Sequence, residues 1–270
     1  MKKILSLITA FALITSASFA QKRETRDVST FTKISFRSAG KVYVKQGGPQ
    51  KVEIEGSTET LEKIKTKVED GKLIIGSENE WFSWSWGDDD KVTVYVTVAN
   101  IETLSVSGSG DMIVQTKIIG NNLKLNVSGS GSMQAEIDVA DVDADVSGSG
   151  DMDLKGKCKS FTSDISGSSS IKLTASIAGV ADFDISGSGK VEATGSSQSV
   201  KAEITGSGKI LASNFETAKC EVRISGSGDV EINVKTELDA RITGSGTVLY
   251  KGNPARVNSD ASGSGSVKEM

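Results

Sequence analysis

Residues 146–154, "VSGSGDMDL", decide the fold, because their serine and glycine core recurs nine times along the chain. Successive copies begin 18 to 21 residues apart. A flexible linker has no reason to recur at a fixed spacing, whereas a solenoid repeats one coil at a near-constant period of this length. The first glycines of the nine copies are Gly108, Gly129, Gly148, Gly167, Gly187, Gly206, Gly226, Gly244 and Gly263.

Each copy carries apolar residues two residues before its first glycine and four residues after it, and eight of the nine copies also carry one six residues before it. Most are β-branched, and polar residues alternate with them as in a half-buried strand. Glycine at positive φ suits a sharp corner between two strands, and we expect the intervening serine hydroxyls to form a ladder along it. A phosphate-binding loop would lead into a helix instead. The sequence therefore predicts an all-β fold, a parallel β-solenoid (right-handed β-helix) that rises about 4.8 Å per coil.

The first 20 residues are typical of a secretory signal peptide. Lys2 and Lys3 precede an apolar run, and Ser18 and Ala20 provide the small residues before a cleavage site. The run is too short for a permanent membrane span, and no later segment has the roughly 20 apolar residues that a spanning helix needs. We expect an exported protein in the periplasm, at the outer-membrane surface or outside the cell.

Residues 21–100 lack the repeat and are predicted to form a β-rich cap that is continuous with the solenoid of residues 101–270. One short helical pattern opens at Ser57 or Thr58, and Asp70 with Gly71 is typical of a hairpin turn. A cap is needed because the first coil would otherwise expose its apolar core and its free strand edges.

Cys158 and Cys220 are the only cysteines of a chain that we expect to be exported, and exported cysteines usually form disulfides. The repeat places them three coils apart, so their Cα atoms are predicted to lie at least roughly 14 Å apart, whereas a disulfide allows less than ~7 Å. We therefore predict two free thiols. Cys220 also falls in the apolar position six residues before a first glycine, so we expect it to be buried.

The order of the motifs resembles a known family. "FTKISF", "VYVKQG", "VEIEG", "VEDGKLII" and "VTVYVTV" precede the first "LSVSGSGDM", and this series is similar to the head GIN domain family, also labelled "putative autotransporter adhesin". The resemblance covers most of the chain after the signal peptide. It implies a right-handed β-helical protein that Gram-negative bacteria secrete, with an adhesin role as the family label and no established catalytic residues.

An acidic column is predicted on the outer surface, three residues before the first glycines. Stacked carboxylates at one-coil spacing repel one another unless a cation intervenes, so one hypothesis is a site for a hard cation such as Ca²⁺. The alternative is a solvated acidic face that discourages edge-to-edge association. Because no ligand-loop signature accompanies the column, we favour the solvated face and expect no cofactor. The candidate metal ligands are Asp145, Asp164, Asp184 and Glu203.

The same column raises the alternative of a polysaccharide-acting β-helix enzyme. The chain has no histidine, but glycosidases use two carboxyl groups about 5 to 9 Å apart, and adjacent coils would bring Asp145 near Asp164, or Asp164 near Asp184. These residues belong to a regular column, however, whereas a catalytic site usually interrupts the pattern or lies on an inserted loop. We therefore predict that the protein is not an enzyme.

The segment "ENEWFSWSWGDDD" at residues 78–90 interrupts the strand pattern and holds all three tryptophans. Trp81, Trp84 and Trp86 are the candidate ligand-binding residues, because exposed aromatic rings stack on sugars or anchor a protein partner. The alternative is that Phe82, Trp84 and Trp86, which alternate along one strand face, plug the open end of the solenoid.

Together these features predict a secreted binding module of the cell envelope or surface, adhesin-like and without catalytic activity. Its expected partner is a glycan or a surface protein. A nucleic acid is not expected, because the acidic balance of the chain, with a formal net charge of −4, disfavours binding to phosphates. A purely structural repeat protein of the envelope is the remaining alternative.

Overall fold

The computed structural model describes residues 22–77 and 92–270, and this part of the chain is 76% strand and 3% helix. The described part of the region before the first glycine-serine copy contains seven strands and one short helix. They are β1 (Lys22–Thr25), β2 (Lys33–Arg37), β3 (Gly40–Gln46), β4 (Lys51–Gly56), α1 (Thr58–Lys63), β5 (Ile64–Glu69), β6 (Lys72–Ser77) and β7 (Val92–Val98).

The repeat region consists of strands that end or begin at the glycine-serine copies, and the longer ones continue from one coil into the next. They are β8 (Thr103–Gly108), β9 (Asp111–Val114), β10 (Ile118–Gly129), β11 (Ser132–Gly148), β12 (Asp151–Cys158), β13 (Ser160–Gly167), β14 (Ser170–Ile177), β15 (Val180–Gly187), β16 (Lys190–Gly206), β17 (Lys209–Gly226), β18 (Asp229–Gly244), β19 (Thr247–Lys251), β20 (Arg256–Gly263) and β21 (Ser266–Glu269).

The coils form a parallel β-solenoid in which equivalent residues of successive repeats are strand partners. First glycine pairs with first glycine from Gly108 to Gly263. The apolar positions predicted from the sequence stack as continuous columns, so the fold class predicted from the repeat is confirmed. One such column consists of Leu123, Val142, Phe161, Ala181, Val200, Cys220, Leu238 and Val257.

The corners explain why the repeat keeps its first glycine. Gly226 has a φ of 127°, and a Cβ there would lie 2.4 Å from the carbonyl oxygen of Gly206 in the coil before. Only glycine combines this left-handed conformation with so close an approach. The N–H of the following serine, Ser227, donates to the same carbonyl oxygen at 2.8 Å. The ladder that we expected from the serine hydroxyls is thus formed by the serine backbone N–H groups.

The stack of parallel coils begins before the first glycine-serine copy. Strand β2 pairs in parallel with β8, which sets Phe36 beside Val106, and β3 pairs in parallel with β9, which sets Val42 beside Met112. On their other side, β2 pairs in parallel with β6, and β3 pairs in parallel with β7. Two coils therefore precede that of Gly108, so the region predicted as a cap also contributes solenoid coils.

The outermost strands of this N-terminal end are covered by antiparallel neighbours. Strand β5 pairs with β6, β4 pairs with β7, and β1 pairs with β4. The predicted local signals are present here: Ser57 caps α1 by accepting a hydrogen bond from the Thr60 N–H, and Asp70 and Gly71 turn from β5 to β6 at φ values of 50° and 69°. These short elements protect edges that would otherwise be free.

The solenoid interior is a continuous apolar core that contains both cysteines. The rings of Phe161, Phe183 and Phe215 follow one another with centroids 6.0 and 6.2 Å apart. Cys158 and Cys220 are buried, free and in different columns, which agrees with the two free thiols predicted from the repeat. Burial raises the pKa of Cys158 to about 11 and that of Cys220 to about 12, so both are inert apolar side chains at neutral pH.

Each coil presents two strand faces to solvent. We call the face formed by the segments that end at a first glycine the leading face, and the face formed by the segments that follow a corner the trailing face. Side chains with one sequence offset from the first glycine stack in register on either face, so each face is a set of side-chain columns at one-coil spacing.

Candidate functional site

The predicted acidic column lies on the leading face, where its members are strand partners in consecutive coils. Asn126 precedes the acids and Arg223 follows them in the same column. The stacked acids are Asp145, Asp164, Asp184 and Glu203.

A lysine ammonium neutralises one end of this column. The Nζ atom of Lys124 lies 2.9 Å from Asp143 Oδ2 and 3.0 Å from Asp145 Oδ2. Carboxylate oxygens of Asp143, Asp145 and Asp164 lie within 4.8 Å of one another. The hydrogen bonds to Asp143 and Asp145 raise the pKa of Lys124 well above its ordinary value, so the charged ammonium is stabilised at this position. The chain thus supplies its own cation where a metal ion had been considered.

The carboxylates in the middle of the column have less positive charge beside them. Desolvation, followed by the charge of Asp145, raises the pKa of Asp164, and desolvation, followed by the charge of Glu203, raises the pKa of Asp184. Asp184 and Glu203 remain stacked neighbours outside the carboxylate cluster beside Lys124. The structure therefore divides the four predicted metal ligands between this cluster and an open ladder, and cation binding stays a prediction.

The trailing face carries a groove of about 230 Å³ that spans four coils. Two outward columns form its sides, and the strands between them contribute Met133, Met152 and Ile171 to its lining. The first column, three residues after the first glycines, consists of Ser132, Asp151, Ser170 and Lys190. The second column, five residues after the first glycines, consists of Gln134, Asp153, Lys172 and Glu192.

Hydrogen bonds along the solenoid satisfy most of the first column. Ser132 Oγ donates to Asp111 Oδ1 at 2.7 Å, and Ser170 Oγ donates to Asp151 Oδ1. Lys190 crosses the groove, where its ammonium donates to Glu192 Oε1 at 2.7 Å. These bonds hold the rim of the groove in a fixed arrangement.

The second column contains a buried acceptor without a donor, with exposed polar groups in the two adjacent coils. Asp153 Oδ1 is shielded from solvent and accepts no hydrogen bond from any described residue. Gln134 and Lys172 are its strand partners in the two adjacent coils, and both are exposed. A shielded carboxylate oxygen without a donor costs free energy, so a donor that displaced the groups covering Asp153 Oδ1 would relieve that cost.

Sequence reasoning missed this groove because it examined the outward columns before the corners and not those after them. The signal was present in the residues five positions after the first glycines, where Gln134, Asp153, Lys172 and Glu192 follow one another. A column that mixes an amide, two carboxylates and an ammonium lacks the regularity of the acidic column. The sequence alone does not indicate which of these groups already form hydrogen bonds or ion pairs with neighbouring side chains.

The tryptophan segment lies outside the described residues, so the hypothesis that Trp81, Trp84 and Trp86 bind a ligand stays a prediction. The described strands β6 and β7 flank it in the chain. Their neighbours β2 and β3 are joined by residues 38–39, at the place of a solenoid corner.

Comparison with known structures agrees with this architecture. A protein described as a "putative adhesin" from Parabacteroides merdae is 22% identical, with a TM-score of 0.72 over 93% of this chain and 96% of that one. A "putative adhesin" from Parabacteroides distasonis is also 22% identical, with a TM-score of 0.71 over 94% and 98% of the two chains. A "putative lipid binding protein" from the same species is 23% identical, with a TM-score of 0.64 over 93% and 96%. At these identities the likeness establishes the fold alone.

Three further findings concern membrane spans, curated relatives and the family of the chain. Among the described residues, no helix has the length and apolar character to cross a membrane. No curated protein matches the chain. The profile of one family matches residues 30–210 and again residues 180–254, which is most of the chain. By this match the protein belongs to the family described as "Putative auto-transporter adhesin, head GIN domain".

Proposed function

We propose that this protein is an exported, adhesin-like binding module that holds a glycan in the trailing-face groove and catalyses no reaction. The observation that carries the proposal is Asp153 Oδ1, a shielded acceptor without a donor at the side of the groove. The family to which the chain belongs supports a surface-binding role.

The chemistry of the open groups favours a carbohydrate. Asp153 needs a hydrogen-bond donor, Lys172 needs an acceptor, and the amide of Gln134 provides both. A sugar hydroxyl donates and accepts, so adjacent hydroxyls of one glycan satisfy all three groups. Because the coils repeat at about 4.8 Å, the polar groups of the column follow one another along the solenoid axis, and an extended oligosaccharide fits them better than a compact ligand.

Two observations support a binding role over catalysis. The carboxylates of the acidic column belong to a regular leading-face ladder, and Asp145, a member of the first candidate pair, is paired with Lys124 at 3.0 Å. Incubation of the protein with polysaccharides is expected to release no new reducing ends. Product formation that Asp164→Asn abolishes would establish the enzyme alternative instead.

A glycan array tests the proposal with the full exported chain. The wild-type protein is expected to bind a subset of glycans, Asp153→Ala to lose that binding, and Lys172→Ala to weaken it. The matched control is Asp229→Ala, because Asp229 lies on the same face outside the groove, paired with Lys209 at 2.8 Å. Unchanged circular dichroism of each variant separates lost binding from lost folding. Absence of binding by the wild-type protein, or equal binding by Asp153→Ala, would contradict the proposal.

The tryptophan segment defines the second candidate site. If the double variant Trp84→Ala and Trp86→Ala loses array binding while Asp153→Ala retains it, the aromatic segment is the binding site. If the double variant fails to fold, the aromatic residues act as the plug that the sequence also allowed. Export is tested separately, by mass spectrometry of the mature protein, which is expected to begin at Gln21.

A further inference from the structure

The two ends of the solenoid differ in how their strand edges are treated. At the N-terminal end, antiparallel strands β5 and β4 cover β6 and β7. At the C-terminal end, β20 pairs with β18 and β21 pairs with β19 on one side. On the other side, neither strand has a partner among the described residues. A row of unpaired N–H and C=O groups of this kind is a template for another strand.

The exposed end also opens the apolar interior. Val257 is 38% exposed, whereas its column neighbour one coil earlier, Leu238, is completely buried. All eight residues of β20 are exposed. A partner that continues the sheet would therefore cover Val257 and Ala261 as well as the strand edge.

The charges of β20 are complementary to themselves. Arg256, Asn258 and Asp260 alternate with the inward positions and project outward together. If a second β20 pairs antiparallel with the first about Asn258, Arg256 of each copy lies opposite Asp260 of the other. Asp260 forms no ion pair among the described residues, and its column neighbour Arg241 is paired with Asp239. Arg256 contacts Glu237 through Nη1 at 3.3 Å, and its Nε and Nη2 atoms lie 3.3 Å from the side-chain oxygen of Asn258. The second N–H groups of Nη1 and Nη2 remain for another carboxylate.

We propose that a second copy of this chain occupies this edge, in a two-fold symmetric dimer that pairs β20 with β20 antiparallel. A two-fold contact of one strand with itself must be antiparallel, and it uses the same patch on both copies. A head-to-tail arrangement is disfavoured because β4 and β5 already occupy the N-terminal edges. The two Arg256–Asp260 contacts fix the register, and the strand hydrogen bonds extend the sheet from one solenoid into the next.

The dimer follows from the strand edge and its charges, independently of what the groove binds. If the proposed glycan groove is correct, each dimer presents two copies of it, and binding to a surface with repeated glycans becomes bivalent. Linked sites increase the effective affinity without any new contact to the ligand. A failure of glycan binding therefore leaves the dimer test intact.

Analytical ultracentrifugation of the full exported chain measures the association. The wild-type chain is expected to form a concentration-dependent dimer. Arg256→Asp places two carboxylates opposite each other at both contacts, and Asp260→Arg does the same with two guanidinium groups, so each is expected to weaken dimerisation at least tenfold. The double variant Arg256→Asp with Asp260→Arg restores opposite charges and is expected to restore the dimer. A wild-type monomer at all concentrations, or single variants that dimerise normally, would overturn the proposal.

A cysteine crosslink tests the register directly. Asn258 lies on the proposed two-fold axis, so Asn258→Cys is expected to form a disulfide between two copies under mild oxidation. The control is Thr162→Cys, because Thr162 is exposed in the same column but in the middle of the solenoid. Cys158 and Cys220 are buried and do not compete. A disulfide in the control alone, or in neither variant, would contradict the pairing.

Discussion

The leading and trailing faces of the solenoid are built from the same coils but differ in how their charges are satisfied. On the leading face, carboxylates stack in a regular column, and Lys124 lies 3.0 Å from its first member, Asp145, and 2.9 Å from the neighbouring Asp143. On the trailing face, charges of both signs are mixed, yet Asp153 Oδ1 has no donor. A regular acidic pattern is therefore compensated within the chain, whereas the mixed groove keeps one shielded carboxylate oxygen without a donor, on which the proposed glycan site rests.

The corner that separates the two faces gives the largest expected effect. Gly226→Ala combines a φ of 127° with a Cβ 2.4 Å from a backbone oxygen, so we expect the free energy of unfolding to fall by about 2 kcal/mol or more. Urea denaturation measures the loss. Gly108→Ala is the matched control, because Gly108 has a φ of 95° but its Cβ would meet no atom within 4 Å. If Gly108→Ala lowers the free energy of unfolding as much as Gly226→Ala does, the backbone conformation alone, and not the close stacking of coils, requires glycine at the corner.

Removal of the Lys124 ammonium from the leading face is expected to have the next largest effect on stability. Lys124→Ala leaves the carboxylates of Asp143, Asp145 and Asp164 without their ammonium, and we expect a loss of about 1 kcal/mol at neutral pH, because the site is partly exposed and screened by solvent. Thermal or urea unfolding measures it. Lys201→Ala is the comparison, since its ammonium lies 3.9 Å from Asp182. Equal losses for the two variants would show that Lys124 has no special role.

The middle of the acidic column is expected to give a smaller effect of opposite sign. The folded state raises the pKa of Asp184, mainly by desolvation and then through Glu203. Folding therefore favours the protonated form, and the stability associated with it is complete below the unfolded pKa of about 3.9 and is lost as pH rises through the folded pKa.

Asp184→Asn is accordingly expected to be more stable than the wild type at pH 7, by about 0.5 kcal/mol. The difference should vanish as pH falls below about 4. Urea unfolding across this pH range measures it. A variant that is less stable at pH 7, or a difference that grows in acid, would contradict the sign of the shift.

The smallest expected effect is that of calcium. Because Lys124 already provides a positive charge beside Asp143 and Asp145, excess Ca²⁺ or a chelator is expected to shift the melting temperature of the wild type by less than about 1 °C. A larger stabilisation by Ca²⁺ that Asp145→Asn abolishes would instead establish the acidic column as a cation site.

The sequence predicts the repeat region well because each inference there rests on the same period. The column that contains Phe161, Cys220 and Val257 follows from counting back from the first glycines, and so does the separation of the two cysteines. The short helix capped by Ser57 and the hairpin at Asp70 follow from local signals that need no tertiary context. The pairing of Phe36 with Val106 does not follow from local signals, because β6 and β7 lie between the stacked strands β2 and β8 in the sequence.

The candidate site is less predictable, because it depends on which neighbours satisfy which group. The sequence places Asp145 and Asp153 equally well on an outer face. It does not indicate that Lys124 reaches two carboxylates or that Asp153 Oδ1 is shielded, since both depend on side-chain conformations across adjacent coils. The signal for β20 was likewise present as alternating charges, but their meaning depends on a free strand edge.

Calorimetric titration with the strongest glycan from the array tests the central claim most directly, when Asp153→Ala is compared with Asp182→Ala. The two aspartates are both half-buried, one on the trailing face and one on the leading face. The account predicts that Asp153→Ala weakens binding at least about tenfold, which is 1.4 kcal/mol, because a charged hydrogen bond is lost. It predicts that Asp182→Ala leaves the affinity within about twofold of the wild type. Equal affinities for Asp153→Ala and the wild type, or a larger loss for Asp182→Ala, would contradict the assignment of binding to the trailing-face groove.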